Sequence, residues 1–222
     1  MSWLVSASCL FASISNTAAQ QCTVAPLLPA YSHNDYYNAR PLLDALEQGY
    51  QGVEVDYVQV GGELRVGHGR GETMPGRTVE RLYLAPLRDR VRRCGWVQSA
   101  HQPFLLTIDY KDRGPRGYQA LLKVLRNYAD VVGTRGKPGA VRVVLVGWHP
   151  PLRDLARDSL QLVTVQAGIS QSGLRIPEGD PALVGLVSLD YGKTMRWKGR
   201  GASGSADRTI LQHIAAARES LP

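Results

Sequence analysis

The chain has 222 residues, enough for one sizeable domain with its own core. Hydrophobic residues make up 44% and charged residues 20%, with glycine and proline spread along the chain, which argues against a disordered tail, a linker or a repeat array. The net charge of +7 comes mostly from scattered arginines; it suits anionic substrates and equally a solvated basic surface, and with no zinc-finger spacing, RNP motif or basic helix it gives no case for nucleic acid.

Residues 1–20 read as a secretory signal. Trp3 to Ala12 is apolar and Thr17-Ala18-Ala19 offers small residues for cleavage, although no Lys or Arg precedes the run. The run is too short and too rich in serine to span a bilayer. Residues 21–222 then form one exported domain, periplasmic or secreted. Cys9 falls in the leader, where Ser6-Ala7-Ser8-Cys9 lacks the leucine of a lipoprotein site. Cys22 and Cys94 remain, and an exported chain could pair them.

After the leader, strand and helix patterns alternate. Leu27 to Ser32 is a short apolar run leading into His33-Asn34-Asp35. Pro41 to Gln48 has helical spacing and Gly49 ends it. Gly52 to Val60 is a strand, Gly61-Gly62 a turn, and Glu63 to Val66 the returning strand of a hairpin. A second helix covers Thr78 to Arg93, with a kink or break at Pro86. Phe104 to Ile108 is a buried strand, Tyr118 to Val132 a long amphipathic helix, and Val141 to Val146 the next strand. Leu152 to Asp158 is a short helix, Leu162 to Gln166 and Leu183 to Leu189 are strands, and Thr209 to Glu219 is the last helix. Such alternation predicts a parallel α/β architecture. His33, Asp109, Trp148-His149, Gln166 and Asp190 all follow strands, the face that carries the chemistry of a β/α barrel. An open doubly wound sheet would use its strand ends too, but no glycine-rich dinucleotide fingerprint follows the first strand.

The order His33, Glu54-x-Asp56, His68, Asp109-x-Lys111 carries the most chemistry. Glu54 and Asp56 are two apart in one strand and so point to one side. A buried pair of like charges calls for compensation, and an all-oxygen donor set favours Mg²⁺, with Ca²⁺ as the alternative. Asp109 could complete that metal site, and Lys111 could meet a phosphate oxygen. His33 and His68 could take and give protons as a phosphodiester is cleaved, since an imidazole titrates near neutrality. Each feature alone has a plainer reading as a solvated carboxylate, a surface ion pair or a structural histidine. Asn34, Trp148 and Tyr191 are candidate substrate contacts, whereas His149, beside Pro150-Pro151, reads as structural.

Ser32-His33-Asn34-Asp35, Gly52-Val53-Glu54-Val55-Asp56 and Leu64-Arg65-Val66-Gly67-His68 together resemble the superfamily of glycerophosphodiester phosphodiesterases and phosphatidylinositol-specific phospholipase C. Ile108-Asp109-Tyr110-Lys111 resembles the third-ligand motif of its spider-venom sphingomyelinase D branch. Ser188-Leu189-Asp190-Tyr191-Gly192-Lys193 and Leu82-Tyr83-Leu84-Ala85-Pro86-Leu87 look most like the branch that includes the fungal "altered inheritance of mitochondria" proteins. The resemblance spans about residues 28 to 215. It implies a TIM-type (β/α) barrel, His33 and His68 as the acid–base pair, and Glu54, Asp56 and Asp109 as metal ligands. The diesterase branch usually has His-Arg-Gly in the first motif and an aspartate after the second histidine, where this chain has His33-Asn34-Asp35 and His68-Gly69.

About six strand–helix units are present, so the expected barrel is a truncated one, without its last strands. The expected activity is phosphoric diester hydrolysis or lysis, on a small phosphodiester or a lipid headgroup with peripheral membrane contact. The rival is a non-catalytic truncated barrel that binds a phosphorylated ligand or a partner protein. A glycosidase is disfavoured, because Glu54 and Asp56 share a strand instead of flanking a bond.

Overall fold

A computed structural model describes residues 22, 27–170, 173–192 and 204–221. The leader expected at residues 1–20 lies outside them. Eight strands form one sheet: β1 (Leu28–Ser32), β2 (Tyr50–Val60), β3 (Glu63–Val66), β4 (Phe104–Tyr110), β5 (Val141–Val146), β6 (Thr164–Ser170), β7 (Gly173–Arg175) and β8 (Val184–Leu189). Six of them, β1-β2-β4-β5-β6-β8, run parallel in chain order, while β3 and β7 are antiparallel additions to β2 and β6. Among the described residues β1 pairs only with β2 and β8 only with β6, so the sheet is open. The expected barrel therefore appears as six consecutive parallel strands without closure. No described helix is long and apolar enough to cross a membrane.

Strand alternation divides the chemistry from the core. Val53, Val55, Leu106, Ile108, Val143 and Leu145 face a helix layer and are almost wholly buried. That layer includes α1 (Leu43–Glu47), α2 (Ala85–Cys94), α3 (Pro115–Arg126) and α4 (Leu152–Leu155), with Leu46, Leu87, Leu121, Leu125 and Leu155 in the shared core. The intervening residues of β2 and β4, Glu54, Asp56, Thr107 and Asp109, point the other way. Tyr57 and Tyr110 stack 4.9 Å apart, and the Tyr57 hydroxyl donates to the Gly117 carbonyl. A Cβ on Gly117 would run into the Tyr110 ring, so this glycine lets α3 lie directly on the strands that hold Asp56 and Asp109. Cys22 and Cys94 form a disulfide with Cα atoms 5.6 Å apart, which ties Cys22 to the end of α2.

Several boundaries differ from those expected. The helix at 78–93 is a π-helical stretch, Glu80–Leu84, followed by α2. The change falls at Pro86, which has no N–H for a regular α-helical bond, so the turn before it widens. The helix expected at 118–132 is α3, which starts earlier because Pro115 suits a first turn, and ends where Asn127 and Tyr128 close short turns onto Val124 and Leu125. The strand expected at 162–166 runs over 164–170 and pairs with β7, a short strand absent from the sequence reading. The last helix, α5 (Gly204–Ser220), begins before Thr209.

Candidate active site

The carboxyl ends of β1, β2, β4, β5 and β6 surround a cleft of about 250 Å³. Its lining includes His33, Asn34, Glu54, His68, Asp109 and Lys111. Six of the expected residues thus meet in one place. Asp56 stands beside Asp109 across the β2–β4 register and is held through Lys111. Trp148 packs edge-on to Tyr110 and lies partly buried against the core; neither it nor Tyr191 lines the cleft. His149 Nδ1 lies 2.7 Å from the carbonyl oxygen of Pro150, and the residue does not line the cleft.

The first loop is fixed by buried polar contacts. Asp35 is fully buried and accepts from the Leu42 amide at 2.6 Å and from the Asn38 side chain at 3.0 Å. The bond from its amide holds Leu42 at φ 65° and ψ −49°, a positive-φ conformation that is costly for a leucine. Asn34 is left-handed, at φ 50°, and this turns its amide onto Glu54 Oε2 at 2.7 Å. His33 is thereby presented at the exposed end of β1. The second histidine loop is held by Glu72, which accepts from the His68 amide at 3.0 Å and the Tyr37 hydroxyl at 2.7 Å.

The carboxylates share one resident cation. Lys111 Nζ lies 2.7 Å from Asp109 Oδ2 and 3.1 Å from Asp56 Oδ2. Burial works to lower the Lys111 pKa, but its bonds to Asp109 and Asp56 outweigh this and the net shift is upward. Asp56 is fully buried; its Oδ2 also accepts from the Tyr36 hydroxyl at 2.8 Å, and its Oδ1 has no partner. Glu54 is pushed up to about 8, chiefly by burial and further by Asp56, with the Asn34 amide opposing.

That shift has a definite sign. The folded chain holds the Glu54 proton to a higher pH than the unfolded chain, whose carboxyl stays near 4.5. In chelator, the melting temperature should fall as pH rises from about 5 to about 8, and the Glu54→Gln chain should show a shallower slope. A wild-type slope equal to that of the glutamine variant would contradict the assignment.

Three contributors were not among the expected site residues. Tyr36 donates to Asp56, but nothing in its spacing marks it. Tyr36→Phe should destabilise the fold by about 1–3 kcal/mol, read from the urea midpoint, because it strips a donor from a buried carboxylate. Glu72 acts through a loop whose path no periodicity predicts. Gly147 had a readable signal, a glycine directly after a strand. It sits at φ 69°, and a Cβ there would lie 2.6 Å from Asp109 Oδ1. Gly147→Ala should displace that carboxylate and lower turnover by up to about 100-fold while the chain still folds. Unchanged turnover would show that Asp109 placement is not critical.

Two features are ones that a hard cation would relieve: an unpartnered buried oxygen on Asp56, and a Glu54 carboxyl that burial holds well above its usual range. In the arrangement described, Lys111 lies between two of the three carboxylates. Among the described residues, no three His, Cys, Asp or Glu side chains are gathered tightly enough to hold a metal ion.

The architecture is that of an α/β chain with a polar cleft at the carboxyl ends of parallel strands. Residues 20–148, more than half of the chain, match the AIM6-like phosphodiesterase domain, and the chain belongs to that family. It is 30% identical over 147 residues to Altered inheritance of mitochondria protein 6 of Eremothecium gossypii, covering 56% of this chain and 38% of that protein. It is 26% identical over 150 residues to the Altered inheritance of mitochondria protein 6 homolog of Arthroderma benhamiae, covering 55% of this chain and 48% of that one. The alignments thus span less than half the length of both relatives. No solved structure matches the chain.

Proposed function

We propose that this chain is a metal-assisted phosphodiesterase that uses His33 and His68 as its acid–base pair. The observation that carries this reading is the convergence of both imidazoles on the cleft that holds Glu54, Asp109 and Lys111. One neutral imidazole accepts the proton of the attacking hydroxyl, which belongs to water or to the substrate itself. The other, protonated, returns a proton to the departing alkoxide. Lys111 faces the same cleft and adds positive charge for a non-bridging phosphate oxygen.

Glu54, Asp56 and Asp109 are the residues that would hold Mg²⁺, with Ca²⁺ as the alternative, if the three carboxylates drew closer together than in the arrangement described. When bound, the ion supplies positive charge to the oxygens of the reacting phosphate. Lys111 holds Asp56 Oδ2 and Asp109 Oδ2 in the arrangement described, and its ammonium would turn to a substrate phosphate if those carboxylates held the ion instead.

The open parallel sheet, in this reading, is the wall of a β/α barrel. The Cys22–Cys94 disulfide supports an exported location, since such bonds persist in oxidising compartments. The substrate is a small phosphodiester or a lipid headgroup met by peripheral membrane contact. The test is turnover of a glycerophosphodiester and a lipid phosphodiester by wild-type protein, His33→Ala and Asp56→Ala, each with millimolar Mg²⁺ and with chelator. Mg²⁺-dependent turnover that both variants lose is the expected result. Equal turnover in chelator would remove the metal from the mechanism, and equal turnover in His33→Ala would remove the histidine.

A further inference from the structure

A second concavity, of about 570 Å³, lies beside the first, between the β2–β3 hairpin and the start of α3. It is lined by Gln59, Arg70, Tyr110, Asp112, Arg113 and Arg116, with Gly114 and Pro115. The two cavities adjoin along the chain: Lys111 lines the first and Asp112 the second, and Arg70 follows His68 by two residues.

The charges of this pocket do not cancel. Three guanidinium groups face one carboxylate. Asp112 is occupied within the protein: its Oδ2 accepts from the Gln59 amide at 3.1 Å and pairs with Arg70 at 3.4 Å. Arg70 also donates to the Gln59 carbonyl at 3.3 Å, so it is anchored on the hairpin. The side chains of Arg113 and Arg116 make no ion pair or hydrogen bond among the described residues, and both are exposed. Arg40 pairs with Asp44 and Glu47, and Arg92 with Asp130, whereas Arg93, Arg142 and Arg153 are, like Arg113 and Arg116, exposed and without an ion pair among the described residues; what sets Arg113 and Arg116 apart is that they line one pocket with Arg70. Arg113 sits at φ 52°, a backbone setting that favours glycine or asparagine over arginine on conformational grounds.

We propose that this pocket binds a phosphomonoester. Its surplus of two positive charges matches the charge of about −1.5 to −2 that such a group carries at neutral pH. Guanidinium forks suit its oxygens better than lysine would. The site stands on its own residues; its use by a substrate rests on the phosphodiesterase reading. On that reading the preferred substrate carries a phosphomonoester in addition to the diester that the first cleft cuts. Phosphorylated headgroups in an anionic membrane present the same chemistry from a second source.

The experiment is calorimetric titration of the full chain with inorganic phosphate at fixed ionic strength. Wild-type protein should bind phosphate at two sites, Arg113→Ser/Arg116→Ser at one, and Arg153→Ser/Arg218→Ser, which removes the same charge elsewhere, at two. The proposal is overturned if the wild type has a single site that Lys111→Ala abolishes, if Arg113→Ser/Arg116→Ser keeps the wild-type isotherm, or if the control pair loses as much. Failure of the catalytic reading is seen separately, as absent turnover with the arginine-dependent site intact. Phosphatidylcholine vesicles doped with phosphatidic acid then distinguish the sources. Retention that depends on Arg113 and Arg116 assigns the phosphate to a lipid surface; phosphate binding without retention assigns it to a soluble substrate.

Discussion

Phosphodiester turnover should fall about 100- to 10,000-fold in His33→Ala, the range contributed by a positioned general acid or base, and by a similar factor in His68→Ala. Both side chains are exposed and make no hydrogen bond to the described protein, so removing either leaves no buried group without a partner. The loops that carry them are held by other atoms. Asp35 ties down the first through the Leu42 amide, and Glu72 holds the second through the His68 amide. The variants should therefore melt like the wild type, which separates lost chemistry from lost fold. On the proposed mechanism the double variant should be little worse than the poorer single one, because the two imidazoles would serve one proton transfer sequence. The measurement is kcat at saturating Mg²⁺ alongside a thermal melt. Retention of wild-type kcat by either single variant would exclude that histidine from the proton chemistry.

Reduction of the Cys22–Cys94 bond should cost about 4 kcal/mol of stability, from the chain entropy released when a 72-residue closure is opened. Cys94→Ser should shift the urea midpoint by the same amount and make it insensitive to reductant. Turnover below the melting transition should change little, because Cys94 sits at the end of α2, away from the cleft-lining residues. A wild-type midpoint that ignores reductant would mean that the bond contributes nothing to the folded state.

The parts of this chain that could be read in advance are those where period and chemistry coincide. β2 was legible because Val53, Val55 and Tyr57 alternate with Glu54 and Asp56, so one pattern announces both a strand and a polar face. Asp109 was legible because it stands near the end of an apolar run, where a parallel sheet exposes its functional edge. The position of Lys111 was legible but its partners were not: a lysine stem has many rotamers, and only the folded site shows that its ammonium lies between Asp56 and Asp109. Trp148 also follows a strand, yet its ring turns to Tyr110, since a strand end does not fix which face the next loop residue takes. β7 escaped notice because three residues are too few to show a period. The Arg70–Arg113–Arg116 pocket is assembled from two separate segments, so scattered arginines became a cluster only in three dimensions.

The register of β2 on β4 has a consequence for how this protein can fail. Glu54 pairs with Thr107 and Asp56 with Asp109, so the site lies on the face opposite Val55 and Ile108. A slip of either strand by one residue would turn its carboxylates into the helix layer and its valines or isoleucine into the cleft. Such a chain would lose catalysis and core together, since desolvated carboxylates among leucines are far costlier than the pairing recovers. Specific activity in a preparation should accordingly track the amplitude of its cooperative unfolding, and the site becomes a reporter of strand alignment throughout the molecule.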